Sequence, residues 1–145
     1  QQAVHGTLHL LRPLADQSDV TITCLMSEGV TVRASEDDIY HIVFNLVENA
    51  IKYNLPGGDV TVRVETHGGQ SVLSVADTGI GIPRDAQSRV FERFYRVDKS
   101  HSSGGTGLGL SIVKHGAAYL GARVELESEP GRGSTFTLTF PPMKA

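Results

Sequence analysis

A single cysteine, Cys24, stands in a chain of 145 residues. That excludes an internal disulfide and any cysteine-built zinc site, and it fits a reducing compartment. Its alternating setting, VTITCLM, points to a thiol packed in the core. The chain also lacks an apolar run of the roughly 18 residues a membrane helix needs, and it lacks a signal-peptide pattern. This segment is therefore expected neither to span nor to touch a membrane. There is no large excess of either charge, with 13 Lys and Arg against 16 Asp and Glu and a net charge of −3. Nucleic acid is not expected as a partner, and any phosphate binding must be local. No internal repeat is found. What is present is 39% apolar content, enough for one core and one domain over residues 1–145. The chain opens in mid-helix without Met, as expected of a piece cut from a longer protein.

The richest stretch is Asp37 to Asn54, DDIYHIVFNLVENAIKYN. At about 100° per residue, Ile39, Ile42, Val43, Leu46, Ala50 and Tyr53 share one side of a helix. Phe44, Val47 and Ile51 widen that apolar arc, so most of the helix is expected to be buried. A narrow polar strip remains, in which His41, Asn45, Glu48, Asn49 and Lys52 recur at spacings of three and four. Asn is a poor interior helix residue, less favourable than Ala by roughly 0.6 kcal/mol. An unpaired buried amide costs about 1 to 3 kcal/mol more. A plain wet edge would more cheaply use Glu, Lys or Gln, so the strip reads as the wall of a polar ligand cavity.

The rest of the chain frames that helix. Residues 1–17 read as an opening helix with Val4, Leu8, Leu11 and Leu14 on one face. His5 and His9 stand there at i, i+4, but Gly6 replaces the Glu of the zinc protease pattern and no metal is expected. Val20–Met26 and Val30–Ala34 read as a hairpin. Ser35 should cap the polar-striped helix with Asp38 as its capping-box partner, and Pro56-Gly57-Gly58 should end it. Val60–Thr66 and Ser71–Ala76 form a second hairpin around His67-Gly68-Gly69. Then come a glycine loop at 77–83, a short helix over 84–96 anchored by Val90, Phe91 and Phe94, and a polar, glycine-rich lid over 99–106. An amphipathic helix over 106–120 and two closing strands, Arg123–Ser128 and Ser134–Phe140, complete the chain. Hairpins with helices between them imply an α+β, two-layer sandwich: one mixed, mainly antiparallel sheet covered on one face by helices.

Common phosphate motifs fail. Gly104 and Gly109 have P-loop spacing, but Leu110 stands where Lys is required before Ser111. Ile112 and Arg84 stand where dinucleotide fingerprints need a third glycine. A glycine-rich segment entering a helix is still an anion cradle. The combination is what is specific: Asn45-x-x-x-Asn49-Ala50 on a helix, then DTGIGIP, then FERFYRVD, then GGTGLGLSIVKH. In this the chain resembles the catalytic, ATP-binding domain of bacterial sensor histidine kinases. Those four segments resemble that family's N, G1, F and G2 boxes, which surround a nucleotide in the Bergerat ATP-binding fold.

The resemblance implies that Asn49 binds the Mg2+ bridging the ATP phosphates and that Asn45 supports metal and phosphate. Lys52 would neutralise a phosphate or stay solvated. Tyr53 would lie against the adenine or serve the core. Asp77 would accept a hydrogen bond from the adenine amino group, with Thr78, Gly79, Gly81 and Ile82 closing around the base. Arg96 and Arg93 would contact the terminal phosphates or sit in surface ion pairs. Gly105, Thr106, Gly107, Leu108, Gly109 and Leu110 would wrap the phosphates under the lid.

By the same resemblance the γ-phosphoryl group of Mg-ATP goes to a histidine imidazole, by positioning and charge stabilisation. The acceptor must lie elsewhere. None of the six histidines here is followed by the Glu or Asp usual at the acceptor. The implied partners are a histidine-bearing dimerisation domain of the parent kinase, with residues 1–17 the tail of its linker, and a response regulator reached through that domain. The isolated domain is expected to be monomeric and cytoplasmic. The parent is expected to be a homodimer anchored in the bacterial inner membrane. Two rivals stand: an ATP-hydrolysing switch of the same fold, and a non-catalytic nucleotide-binding module. The switch needs a catalytic Glu four residues before Asn49, where this chain has Asn45, and Glu48 points about 100° away from Asn49. Gly116, in a helix where bulky aliphatics are usual in the family, weakens that helix by roughly 1 kcal/mol.

Overall fold

A computed structural model describes residues 2–27, 35–82, 87 and 109–141. Helix α1 (Gln2–Gln17) presents Val4, Leu8, Leu11 and Ala15 to the core, and Leu14 packs at its margin. Strand β1 (Thr21–Met26) follows, then helix α2 (Glu36–Lys52). The hairpin of β2 (Asp59–His67) and β3 (Gln70–Asp77) leads to the glycine loop. Helix α3 (Gly109–Tyr119) precedes β4 (Arg123–Glu129) and β5 (Gly133–Thr139).

The sheet order is β1-β2-β3-β5-β4, with every neighbour antiparallel except β1 and β2. Alternation puts Val60, Val62, Val64, Leu73, Val75, Phe136 and Leu138 on the buried side, where the helices pack. The described residues thus form the expected mixed α+β sandwich. In α2, Ile42, Val43, Leu46, Val47, Ala50 and Ile51 are buried, while Ile39, Phe44 and Tyr53 are half-buried. Full burial of side chains the size of Ile42 or Leu46 contributes about 1.5 to 3 kcal/mol each. The polar strip runs along the margin of that helix, with His41 exposed and Asn45, Glu48, Asn49 and Lys52 half-buried.

Local chemistry explains the boundaries. Ser35 caps α2 by accepting the Asp38 N–H at 3.1 Å. That is one half of the expected capping box. The helix stops at Lys52, with Tyr53 as its cap, earlier than Pro56 demanded. Asn54 gives the reason: its side chain accepts the Leu55 N–H at 2.8 Å and donates to the Asp59 carbonyl at 3.0 Å, offering the backbone an alternative to another turn. The β2–β3 turn is as tight as expected. His67 pairs with Gln70, and Gly68 and Gly69 both take positive φ, at 57° and 80°.

One pairing joins strands far apart in the chain. β1 lies parallel to β2, Ile22 opposite Val60 and Cys24 opposite Val62, with α2 making the crossover. The anticipated partner strand at Val30–Ala34 lies outside the described residues, as do most of the short helix over 84–96 and the lid. Cys24 is half-buried against the core, and burial pushes its thiol pKa up.

Candidate functional site

The site grows from the end of β3. Asp77 closes that strand opposite Ser134 of β5, and the chain then turns through Thr78-Gly79-Ile80-Gly81-Ile82. Asp77 Oδ1 accepts the Gly79 N–H at 2.9 Å and the Ser134 N–H at 3.3 Å. Oδ2 has no partner among the described residues. Burial raises the Asp77 pKa, and the two backbone N–H groups partly offset the rise. The result is a half-buried carboxylate held by one oxygen, with the other ready to accept from a ligand N–H.

Thr78 ties the loop to β2. Its hydroxyl accepts the Asp59 N–H at 2.9 Å, and its own N–H donates to the Asp59 carbonyl at 3.1 Å. The glycines prove to serve the protein as much as any ligand. A Cβ on Gly79 would strike the Tyr53 carbonyl at the end of α2. A Cβ on Gly81, at φ 74°, would strike the Glu129 carbonyl in the β4–β5 turn. Of the two, only Gly81 takes a positive φ. Ile80 N–H donates to the Tyr53 carbonyl at 3.1 Å, so the loop after Asp77 is bonded directly to the C-terminal end of the polar-striped helix.

On that helix Asn45, Glu48, Asn49 and Lys52 are half-buried. Asn45 Nδ2 donates to the His41 carbonyl at 2.6 Å, and its amide oxygen has no partner among the described residues. No hydrogen bond of the Asn49 side chain is found among the described residues. Lys52 lies 3.5 Å from Glu48, one turn back, a pair worth about 0.3 to 0.5 kcal/mol. Tyr53 is half-buried at the helix cap and contributes its carbonyl to the loop. Gly109 begins α3 and Leu110 packs against the core. Arg96, Gly105, Thr106, Gly107 and Leu108 lie outside the described residues, as do Arg93, Phe91 and Phe94.

Sequence reading missed the support behind Asp77. Ser128 and Ser134 face each other across β4 and β5, with their hydroxyls 2.8 Å apart. Ser128 Oγ accepts the Ile82 N–H at 2.7 Å, and Gln87 Nε2 donates to the Ile82 and Ser128 carbonyls at 2.9 and 3.1 Å. In sequence the segment ESEPGRGS shows only a turn, and nothing local points to the loop some 50 residues earlier.

Comparison with known proteins agrees with this fold. The family model described as histidine kinase-, DNA gyrase B-, and HSP90-like ATPase matches residues 34–144. Sensor-like histidine kinase SenX3 of Mycolicibacterium smegmatis is 49% identical over 129 residues, covering 88% of this chain and 34% of that protein. The phosphate regulon sensor protein PhoR of Pseudomonas aeruginosa is 47% identical over 116 residues, covering 79% of this chain and 26% of that protein. The chain therefore spans about a third or less of these relatives' length. Among solved structures, the mycobacterial sensor histidine kinase MprB superposes with a TM-score of 0.86 at 28% identity, over 98% of this chain and 96% of that one. Full-length ShkA in complex with AMPPNP superposes with a TM-score of 0.85 at 32% identity, over 99% of this chain and 30% of that one. A sheet of five described strands under three described helices and four sequence boxes in the same chain order lead to one conclusion: the chain belongs to the histidine kinase-, DNA gyrase B- and HSP90-like ATPase family, as an ATP-binding catalytic domain of the sensor histidine kinase type.

Proposed function

We propose that this domain binds ATP with its adenine amino group on Asp77 Oδ2 and its phosphates along the Asn45–Asn49–Lys52 strip. It then presents the γ-phosphoryl group to a histidine on a separate dimerisation domain. The observation that carries this reading is the half-held carboxylate. Asp77 spends one oxygen on the Gly79 and Ser134 N–H groups and leaves the other for an N–H donor. Adenine offers that donor, and guanine presents a carbonyl in its place. Thr78, Gly79, Gly81 and Ile82 frame the base, and Tyr53 flanks it from the end of α2.

The donor set on α2 fits a magnesium ion. Mg2+ prefers oxygen ligands, keeps several waters and is held by few protein groups plus phosphate oxygens. The Asn49 amide, without a described partner, would hold it, with Asn45 in support. There it supplies charge neutralisation across the phosphates. Lys52, only loosely paired with Glu48, has a charge to turn to a phosphate. Arg96 and the segment Gly105–Leu110 complete the phosphate end of the proposal. Lid closure over 99–106 would exclude water during transfer.

Transfer is favoured over hydrolysis because the position four before Asn49 carries an amide, and because Glu48 is turned to Lys52. The proposed setting is a parent homodimer anchored in the bacterial inner membrane, with a dimerisation domain linked through residues 1–17 and a response regulator downstream. No described helix is long and apolar enough to cross a membrane. Titration calorimetry tests the site: ATP should bind in a magnesium-dependent way, and Asp77→Asn or Asn49→Asp should weaken that binding severely. Adding the upstream helix pair with its histidine should yield acid-labile phosphorylation. Brisk ATP hydrolysis by this domain alone would overturn the transfer reading.

A further inference from the structure

Ser128 stands at the end of β4, on the far side of the glycine loop from α2, and its hydroxyl is saturated. It accepts the Ile82 N–H at 2.7 Å and lies 3.0 Å from the Gly133 carbonyl and 2.8 Å from Ser134 Oγ. A hydroxyl has one proton and two lone pairs. The carbonyl can only accept, so the Ser128 proton goes to Gly133 and the Ser134 hydroxyl donates to Ser128. Ser134 in turn donates its backbone N–H to Asp77 Oδ1. Gln87 doubles the link, since its amide nitrogen donates to both the Ile82 and the Ser128 carbonyls. Gly131 N–H adds a bond to the Ile80 carbonyl at 2.8 Å.

From this network we infer that Ser128, assisted by Gln87, is a positioning residue for adenine recognition. It locks the loop Gly79–Ile82 to the strand that braces Asp77, and so sets the distance between the carboxylate and the loop backbone facing the base. Neither side chain is assigned a contact with nucleotide. Their effect passes through Ile82 on one side and Ser134 on the other. The inference rests on the assignment of Asp77 to the adenine amino group, and the experiment separates the two.

The test compares binding of ATP with that of purine riboside triphosphate, which lacks the amino group, on the folded domain. The unaltered protein should prefer ATP, and Asp77→Asn should abolish the preference. Ser128→Ala leaves the Ile82 N–H unpaired, and it should weaken ATP binding about tenfold while hardly changing binding of the analogue. Ser128→Thr, which keeps the hydroxyl, should restore the preference. Gln87→Met, similar in shape and without donors, should reduce the preference less than Ser128→Ala and gives a second route if Ser128→Ala folds poorly. Equal weakening for both nucleotides, or an unchanged preference in Ser128→Ala or Gln87→Met beside a lost one in Asp77→Asn, would overturn the positioning role. An unchanged preference in Asp77→Asn would instead overturn the underlying base assignment.

Discussion

The two ends of the site are built in opposite ways. Around Asp77 the backbone donors and acceptors are matched: Gly79 and Ser134 to the carboxylate, Thr78 to Asp59, Ile80 to Tyr53, Ile82 to Ser128. Along α2 the polar groups are half-buried and thinly partnered, with Asn45 bonded to its own helix, Lys52 loosely to Glu48, and Asn49 to nothing described. The difference teaches where the ligand does its work. The proposed base end is already shaped by the protein's own bonds, whereas the proposed phosphate end leaves its polar atoms thinly partnered among the described residues.

Asp77→Asn is the most severe way to break this contrast. It turns an acceptor into a donor facing the adenine amino group, and calorimetry should show ATP affinity falling by about a hundredfold or more. The fold should not suffer. Burial favours the neutral form of Asp77, so this group's contribution to stability is greatest in acid and is lost as pH rises through its raised pKa. A neutral Asn should therefore leave the melting temperature at pH 7 unchanged or higher. Acceptor strength runs the other way: ATP affinity of the native protein should fall as pH drops through that raised pKa, beginning above the ordinary aspartate range. That fall should be absent from Asp77→Asn.

Gly81→Ala attacks the pre-shaped end through its backbone. With φ at 74° and the Glu129 carbonyl in the way, it should cost about 2 to 3 kcal/mol, read as a lower denaturation midpoint. Asn49→Ala probes the other end. It should cost less than about 0.5 kcal/mol of stability while reducing ATP affinity about tenfold in magnesium and little in EDTA. Glu48→Gln is the mildest, shifting stability by less than about 0.5 kcal/mol. A large stability loss from Asn49→Ala, or none from Gly81→Ala, would erase the distinction between the two ends.

Much of this was legible in the residues because it is local. Apolar spacing marks α2 and predicts its buried face, and the paired glycines at 68 and 69 mark a tight hairpin. The Asp77 loop announces itself through its glycines. What escaped is what joins distant segments. Nothing in VTITCLM says that its described partner is β2 in parallel register, since that pairing is made across a whole helix. Ser128 and Ser134 sit in ordinary strand alternation, and only the fold brings them behind Asp77. The reason for Gly79 and Gly81 was half-visible. Their lack of a side chain was evident, but the close neighbours proved to be Tyr53 and Glu129 backbone.

The β4–β5 turn carries a practical warning. Exposed hairpin tips are the usual places to graft a peptide or an epitope tag. Here the tip at Pro130-Gly131 leans on Gly81 and Ile80, so added length at that point would be felt in the loop after Asp77. Protein engineers seeking a silent insertion point should choose the Gly68–Gly69 bend, where the surroundings are open.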